Sequence, residues 1–348
     1  MKENTQSTGL DSFDHVVVLM LENRSFDNLL GYLYPEVPSN APLGKTFAGL
    51  SNIDFSNPVP TGANQPPDGT GKVAAHKHDK NKDGNAIYFM PYPDPGEEYW
   101  HVNLQLFNEP DGGEKSPYNL PKNTDELSPG MKGFVNDYIA VWNKTIGVSA
   151  HYSDYKQMMG CFTPEQLPVM STLAKEFAVF DHWFCSVPSQ TWCNRAFWNA
   201  GTSWGHTING PSTSWTVDSI GQTLFNQIHE TGRHSKLNWM VYSDNEAALT
   251  SIIHAGALSP YHFWPANHFP KWDQFFSDCS NGNLPSYSFL EPRFWTPHND
   301  MHPSTYNSKK YGKSDVGSVY LGEKLVWDVY NAIKNSNSST GNNSQNTL

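Results

Sequence analysis

Two stretches of the 348-residue chain carry side chains suited to phosphate or metal chemistry. Glu22 and Asn23 follow directly on the apolar run Val16 to Leu21. A carboxylate beside an amide can hold a divalent cation or a phosphoryl group. Equally, Glu22 can be a solvated residue at a strand end, with Asn23 or Ser25 capping the next helix. The second stretch runs from Asp181 to Arg195, where Ser189 and Thr191 precede a helical pattern beginning near Ala196. A hydroxyl before a helix amino terminus suits phosphoryl transfer, because N–H groups and the helix dipole favour negative charge there. The alternative is that one of the two hydroxyls is only an N-cap. A third stretch, Asp79 to Asn85, copies half of a calcium loop, but Met90 stands where the bidentate glutamate belongs. It reads as a polar turn, and His76 and His78 beside it read as solvated.

These residues need a frame. Val16 to Leu21 lacks the alternation of a half-solvated strand, so it predicts a strand buried on both faces of a parallel sheet. Chemistry in such sheets collects at the carboxyl ends of strands, where Glu22 and Asn23 fall. Phe177 to Phe180 predicts a second strand of the same sheet, with Val16 to Leu21 central. Leu237 to Tyr242 and Leu284 to Pro292 predict further strands. Helices are expected over Phe26 to Leu33, Pro164 to Lys175, Ile220 to Thr231 (capped by Asp218 or Ser219), Phe269 to Asp278 and Val319 to Lys334. Met131, Phe134, Val135, Tyr138, Ile139 and Trp142 form a core-facing stripe. The sum is an α/β chain, an α/β/α sandwich with a mostly parallel sheet, in one domain. A long irregular excursion spans about residues 35–98.

Composition narrows the partners. Lys+Arg 23 against Asp+Glu 34 gives a net charge of −11, which argues against nucleic acid. Aromatic content of 14% gives slight support to an organic or lipid substrate. Cys161, Cys185, Cys193 and Cys279 form no C-x-x-C pair, so zinc-ribbon and thioredoxin readings fail. The first ten residues lack the regions of a signal peptide, and no run approaches the ~20 apolar residues that span a bilayer. As written, the chain reads as cytoplasmic, without an integral membrane segment.

The string FDHVVVLMLENRSFDNLLGYL resembles the opening strand and loop of the bacterial phosphoesterase family that contains phospholipases C and acid phosphatases. The resemblance implies an alkaline-phosphatase-like fold and places Glu22 and Asn23 in the active centre, where they help hold a divalent metal ion. Trp100-His101 followed by Met131-Lys132-Gly133-Phe134 is similar to a family segment whose histidine contacts phosphate, which implies that role for His101. SVPSQTWCNRAFWNAGTSWG resembles the nucleophile segment, which implies Thr191 as nucleophile and Asn194 as phosphate ligand. Ser189 is the runner-up, and Cys193 stands where the family commonly has proline. Asn299-Asp300-Met301-His302-Pro303 matches a segment whose histidine reaches the active centre, so His302 is implied as proton donor to the leaving group.

In the family a buried strand and an Asp-Glu-His segment follow the helix at 319–334, and no such segment precedes Leu348. The chain is therefore expected to be a truncated or split member, with its carboxyl-terminal part missing and weak or absent activity on its own. The expected reaction is hydrolysis of a phosphate ester, with a phospholipid among the candidate substrates. The alternative is a non-catalytic protein that binds phosphate or a lipid head group.

Overall fold

The computed structural model describes residues 12–34, 41–42, 44–108, 129–218, 221–244, 247–261, 268–295, 297–304, 317–336 and 345–348. In chain order it forms β1 (Val16–Leu19), α1 (Phe26–Leu30), α2 (Tyr99–Phe107), α3 (Phe134–Ile146), α4 (Pro168–Glu176), α5 (Thr191–Ala200), α6 (Leu224–Gly232), β2 (Trp239–Ser243), α7 (Leu249–Ile253), α8 (Trp272–Asn281), β3 (Tyr287–Glu291) and α9 (Val319–Lys334), with shorter turns and strand pairs between them.

Three strands make a parallel sheet in the order β1-β3-β2. The unbroken apolar run of β1 has the cause inferred from sequence. Val16, Val18 and Met20 pack toward Phe225, Trp239 and Phe289 on one face. Val17, Leu19 and Leu21 pack toward Phe275, Leu290, Leu325 and Val329 on the other. Helix α6 therefore supplies one covering layer, and α8 and α9 supply the opposite one. The architecture is α/β, with a parallel sheet between helices.

Among the described residues β1 ends the three-stranded ladder and β3 takes its middle place, although β1 is also bridged on its other side. Its outer side meets the last residues of the chain: Leu348 N donates to His15 O at 2.9 Å, and Val17 N donates to Leu348 O at 2.8 Å. His15 and Thr347 form a parallel bridge there.

Phe177 to Phe180 is not a strand. Phe177 closes α4 as its C-cap, and Phe177 and Phe180 are 69% and 68% exposed. Four apolar residues make a strand only where a neighbouring strand accepts their backbone groups, and among the described residues none does. Phe180 instead lies edge-on to Trp183, with centroids 5.9 Å apart, and the Asp181 carboxylate accepts from Ala48 N at 2.7 Å.

Other boundaries shift by a few residues. α4 starts at Pro168, and the strand at Leu237 starts at Trp239. The helix expected from Ile220 begins at Leu224 with Thr223 as its cap; Ser219 and Ile220 lie outside the described residues. α8 ends at Gly282, whose φ of 72° is the left-handed conformation that favours glycine. α9 has the expected bounds.

The excursion after α1 carries structure of its own. Ser56–Pro58 pairs antiparallel with Lys72–Ala74, and His76–Lys77 pairs parallel with Gly160–Cys161. Val59 and Val73 pack on Val135, Tyr138 and Ile139 of α3. His78 is not solvated: it is 6% exposed, its ring lies 4.7 Å from that of Phe162, and burial lowers its pKa to about 3. Asp79 caps a short helix, Lys80–Asp83, by accepting from Asn81 N and Lys82 N.

Candidate functional site

The site begins where β1 ends. Each residue from Glu22 to Ser25 has a different task. The Glu22 carboxylate meets Arg195 Nη2 at 3.3 Å. Asn23 adopts φ 58°, a left-handed conformation that asparagine tolerates, and this turns its amide toward Glu97 and His302. Arg24 ties two distant loops together, donating from Nε to Met301 O at 2.7 Å and from Nη1 to Met90 O at 2.5 Å. Ser25 caps α1 by accepting from Asn28 N at 3.1 Å. Burial raises the pKa of Glu22 even though Arg195 pulls the other way, and burial lowers Arg24 to about 10.

A cavity of about 580 Å³ opens here. Glu22, Asn23, Asp94, Glu97, Thr191, Asn194 and Arg195 line it, together with Leu50, Phe55, Val102, Met131, Phe134 and Met158. This is the size and mixed lining typical of a small-molecule site. Thr191 opens α5, and Arg195 follows four residues later, so the two share one helix face about 6 Å apart at their Cβ atoms. Arg195 is 1% exposed, donates to Met20 O at 2.9 Å and lies 4.8 Å from the Phe294 ring. Thr191 thus stands one helical turn from the Glu22–Arg195 pair.

Asn194 belongs to the same lining, but its amide is fully engaged. Oδ1 accepts from Val187 N at 3.0 Å, and Nδ2 donates to the carbonyls of Val187, Ser189 and Gln190 at 3.0–3.1 Å. It fixes the loop that presents Thr191. Among the described residues the Ser189 hydroxyl is buried without a hydrogen-bond partner.

His101 lies outside the lining, behind Gly96, and is held by Asp137. The Asp137 carboxylate, 1% exposed, meets His101 Nδ1 at 2.5 Å and accepts from Gln105 Nε2 at 2.7 Å. Burial disfavours the imidazolium, but the Asp137 hydrogen bond and charge outweigh it and raise the pKa of His101. The stability this pair gives is therefore complete below the unfolded value near 6.5 and is lost as pH rises through the higher folded one. Asp137→Ala is expected to cost about 2–4 kcal/mol, because an imidazole and an amide lose their buried partner. Urea denaturation at pH 6 and pH 9 measures it. A loss under ~0.5 kcal/mol at both would mean that water replaces the carboxylate.

His302 reaches the site through Asn23, 2.7 Å from its Nε2. Its Nδ1 lies 2.7 Å from Pro303 O, and its backbone N–H donates to Asp300 Oδ1 at 2.8 Å. Asp94 and Glu97, unremarked in the sequence, complete the group: Asp94 Oδ2 and Glu97 Oε2 lie 3.9 and 3.7 Å from His302 Nε2. One ligand atom from each of these three residues falls within 4.8 Å of the others, a candidate metal-ligand triad. Burial pushes the Asp94 carboxyl up to about 8. Burial works against the charged form of His302, but Asp94 and Glu97 hold its pKa well above 6.5. The signal in the sequence was the acidic run Asp94-Pro95-Gly96-Glu97-Glu98 set directly before α2.

The profile described as "Phosphoesterase family" matches residues 13–340. Among curated proteins the chain is similar to non-specific phospholipase C3 of Arabidopsis thaliana, 32% identical over 96% of this chain and 54% of that protein. It is 29% identical to non-specific phospholipase C6 of the same plant, over 92% of this chain and 50% of that protein. It is 22% identical to phospholipase C B of Mycobacterium tuberculosis, over 95% of this chain and 59% of that protein. The chain spans about half the length of the curated relatives it matches.

Proposed function

Since the chain belongs to the phosphoesterase family, we propose that it hydrolyses phosphate esters with Thr191 as nucleophile. The observation that carries this reading is the placement of Thr191. It lies in the first turn of α5, one turn from the Glu22–Arg195 pair, on a cavity that also holds Asn23, Asp94 and Glu97. In this reading Thr191 Oγ1 attacks phosphorus. The bond to the ester oxygen breaks, and that oxygen leaves with its electron pair and takes up a proton. Water then attacks that phosphorus, the bond to Oγ1 breaks, Oγ1 regains a proton, and the phosphate-bearing product leaves. The amino end of α5 faces the developing negative charge, and Asn194 keeps the loop at 187–190 in place. A divalent cation, when bound, would lower the pKa of the attacking hydroxyl and neutralise charge on the phosphoryl oxygens. The triad of Asp94, Glu97 and His302 has donors that fit such an ion.

The apolar part of the lining, including Leu50, Phe55, Met131 and Phe134, favours a leaving group that is itself apolar. A phospholipid split on the glycerol side of phosphorus meets that description, as the names of the relatives suggest. The purified chain should be assayed on phosphatidylcholine micelles and on p-nitrophenyl phosphate, following diacylglycerol and nitrophenolate. Release of diacylglycerol with the higher kcat/KM is expected. Tight binding of inorganic phosphate with no release from either ester would instead support the non-catalytic binder.

A further inference from the structure

Among the described residues Asn23, Asn52, Asn108, Met131, Trp204 and Met301 have a positive φ without being glycine. Asparagine tolerates that conformation. For a bulky side chain it is costly, because Cβ crowds the following carbonyl. Burial offsets the cost at two of the three bulky positions. Met301 is 1% exposed in the core cluster of Ile87, Phe162 and Val319, and Trp204 packs on that of Trp215 and Ile253. Met131 has no such compensation. Its φ is 53°, its side chain is 44% exposed, and it joins no core cluster among the described residues.

The conformation is nonetheless held firmly. Met131 N donates to Leu106 O at 2.8 Å, Asn57 Nδ2 donates to Met131 O at 3.0 Å, and Gly133 N donates to Gln105 O at 3.0 Å. Asn57, 2% exposed, also accepts from Phe134 N at 2.8 Å, so one amide fixes both ends of the segment 131–134. A Cβ on Gly133 would stand 1.7 Å from Leu104 O, which shows how closely the segment lies on α2. Glycine or asparagine at position 131 would take the same turn with less strain. What methionine adds there is its side chain, and that side chain lines the cavity. Phe134 and Met158 line it as well, but both lean on the core cluster of Val135 and Tyr138 and form a fixed wall. Met131 is the adaptable part, since a thioether on an unbranched, rotatable chain fits apolar partners of varied shape.

We propose that Met131 is a specificity-determining residue: an adaptable apolar lip that contacts the alkyl group carried by a phosphate ester in the cavity. The left-handed turn, locked by Asn57 and Leu106, aims it there. This rests on the hydrolase reading for the phosphoryl end of the ligand and names what meets the other end. Its test stands apart from Thr191, because alkylphosphonates carry a carbon–phosphorus bond that the hydrolysis of an ester leaves intact.

The full chain is titrated by calorimetry with methyl-, butyl- and octylphosphonate. Octylphosphonate is expected to bind at least about tenfold more tightly than methylphosphonate, because several methylenes leave water. Met131→Gly and Met131→Asn should each weaken octylphosphonate at least about threefold and leave methylphosphonate within about twofold. Both variants should melt no lower than wild type, since both relieve the left-handed strain. Met131→Leu should stay within about twofold of wild type for octylphosphonate, as an apolar residue of similar volume. A merely structural role would show the reverse, a lower melting temperature with equal losses for both ligands. That result would overturn the proposal. So would octylphosphonate binding that is unchanged in both the glycine and asparagine variants, or a wild type indifferent to chain length. Phosphatidylcholine vesicles that displace octylphosphonate from wild type, and less from Met131→Gly, mark a lipid as the source of the alkyl group. With the phosphonate results intact, absence of displacement marks a soluble ester. Chain-length-dependent binding without turnover of any ester would support the role of Met131 and count against hydrolysis alone.

Discussion

Thr191→Ala is expected to lower kcat/KM for the best ester by at least about 10³-fold, because removing a covalent nucleophile takes away the reaction path itself. The fold should not notice. Thr191 is the first residue of α5, where alanine is a good helix former, and Asn194 still holds the preceding loop. The control is Ser189→Ala, which should stay within a few-fold of wild type and gain a little stability, since it removes a buried hydroxyl without a partner. Stopped-time assays with trapping of the phosphorylated protein distinguish the two hydroxyls. Turnover near wild type in Thr191→Ala, or its loss in Ser189→Ala alone, would remove Thr191 from the mechanism.

Arg195→Met should produce the largest loss of stability, about 3–5 kcal/mol, because it strands the Glu22 carboxylate in the interior. The same guanidinium holds the Met20 carbonyl at the end of β1, so a single change loosens both the strand end and the helix that presents Thr191. pH should modulate the defect with a definite sign. Burial raises the pKa of Glu22 above its ordinary 4.5, and without Arg195 the rise is larger. A raised carboxyl favours the folded state below the unfolded pKa, and that advantage is lost as pH climbs through the folded value. The variant should therefore melt closest to wild type near pH 5 and fall away toward pH 8. Adding Glu22→Gln should recover much of the loss. A penalty below ~1 kcal/mol at pH 8, or no recovery in the double variant, would show that the pair does not bear on stability.

Local chemistry was readable where local rules decide structure. β1 announced itself through six consecutive apolar residues, and α9 through its spacing and length. Phe177 to Phe180 misled because a four-residue apolar run does not record whether a neighbour accepts its backbone groups. The candidate site divides in the same way. Glu22, Asn23 and Thr191 stand at element ends, where a sequence pattern reports position. Asp94, Glu97 and His302 become a group only when segments some 200 residues apart meet, and no periodicity encodes that meeting. Asp137 escaped notice because, in sequence, it is one acid in the first turn of α3.

The pairing of β1 has a temporal consequence. Val16 to Leu19 take their register from Tyr287 to Leu290, and the outer side of the strand meets Thr347 and Leu348. At about 5–20 residues per second of synthesis, the first strand emerges tens of seconds before its partner exists. During that interval Val16 to Leu21 is an exposed apolar segment with unpaired backbone, a natural client for chaperones. The step that finally seats it closes a loop of about 270 residues, which places sheet formation among the last and slowest events of folding.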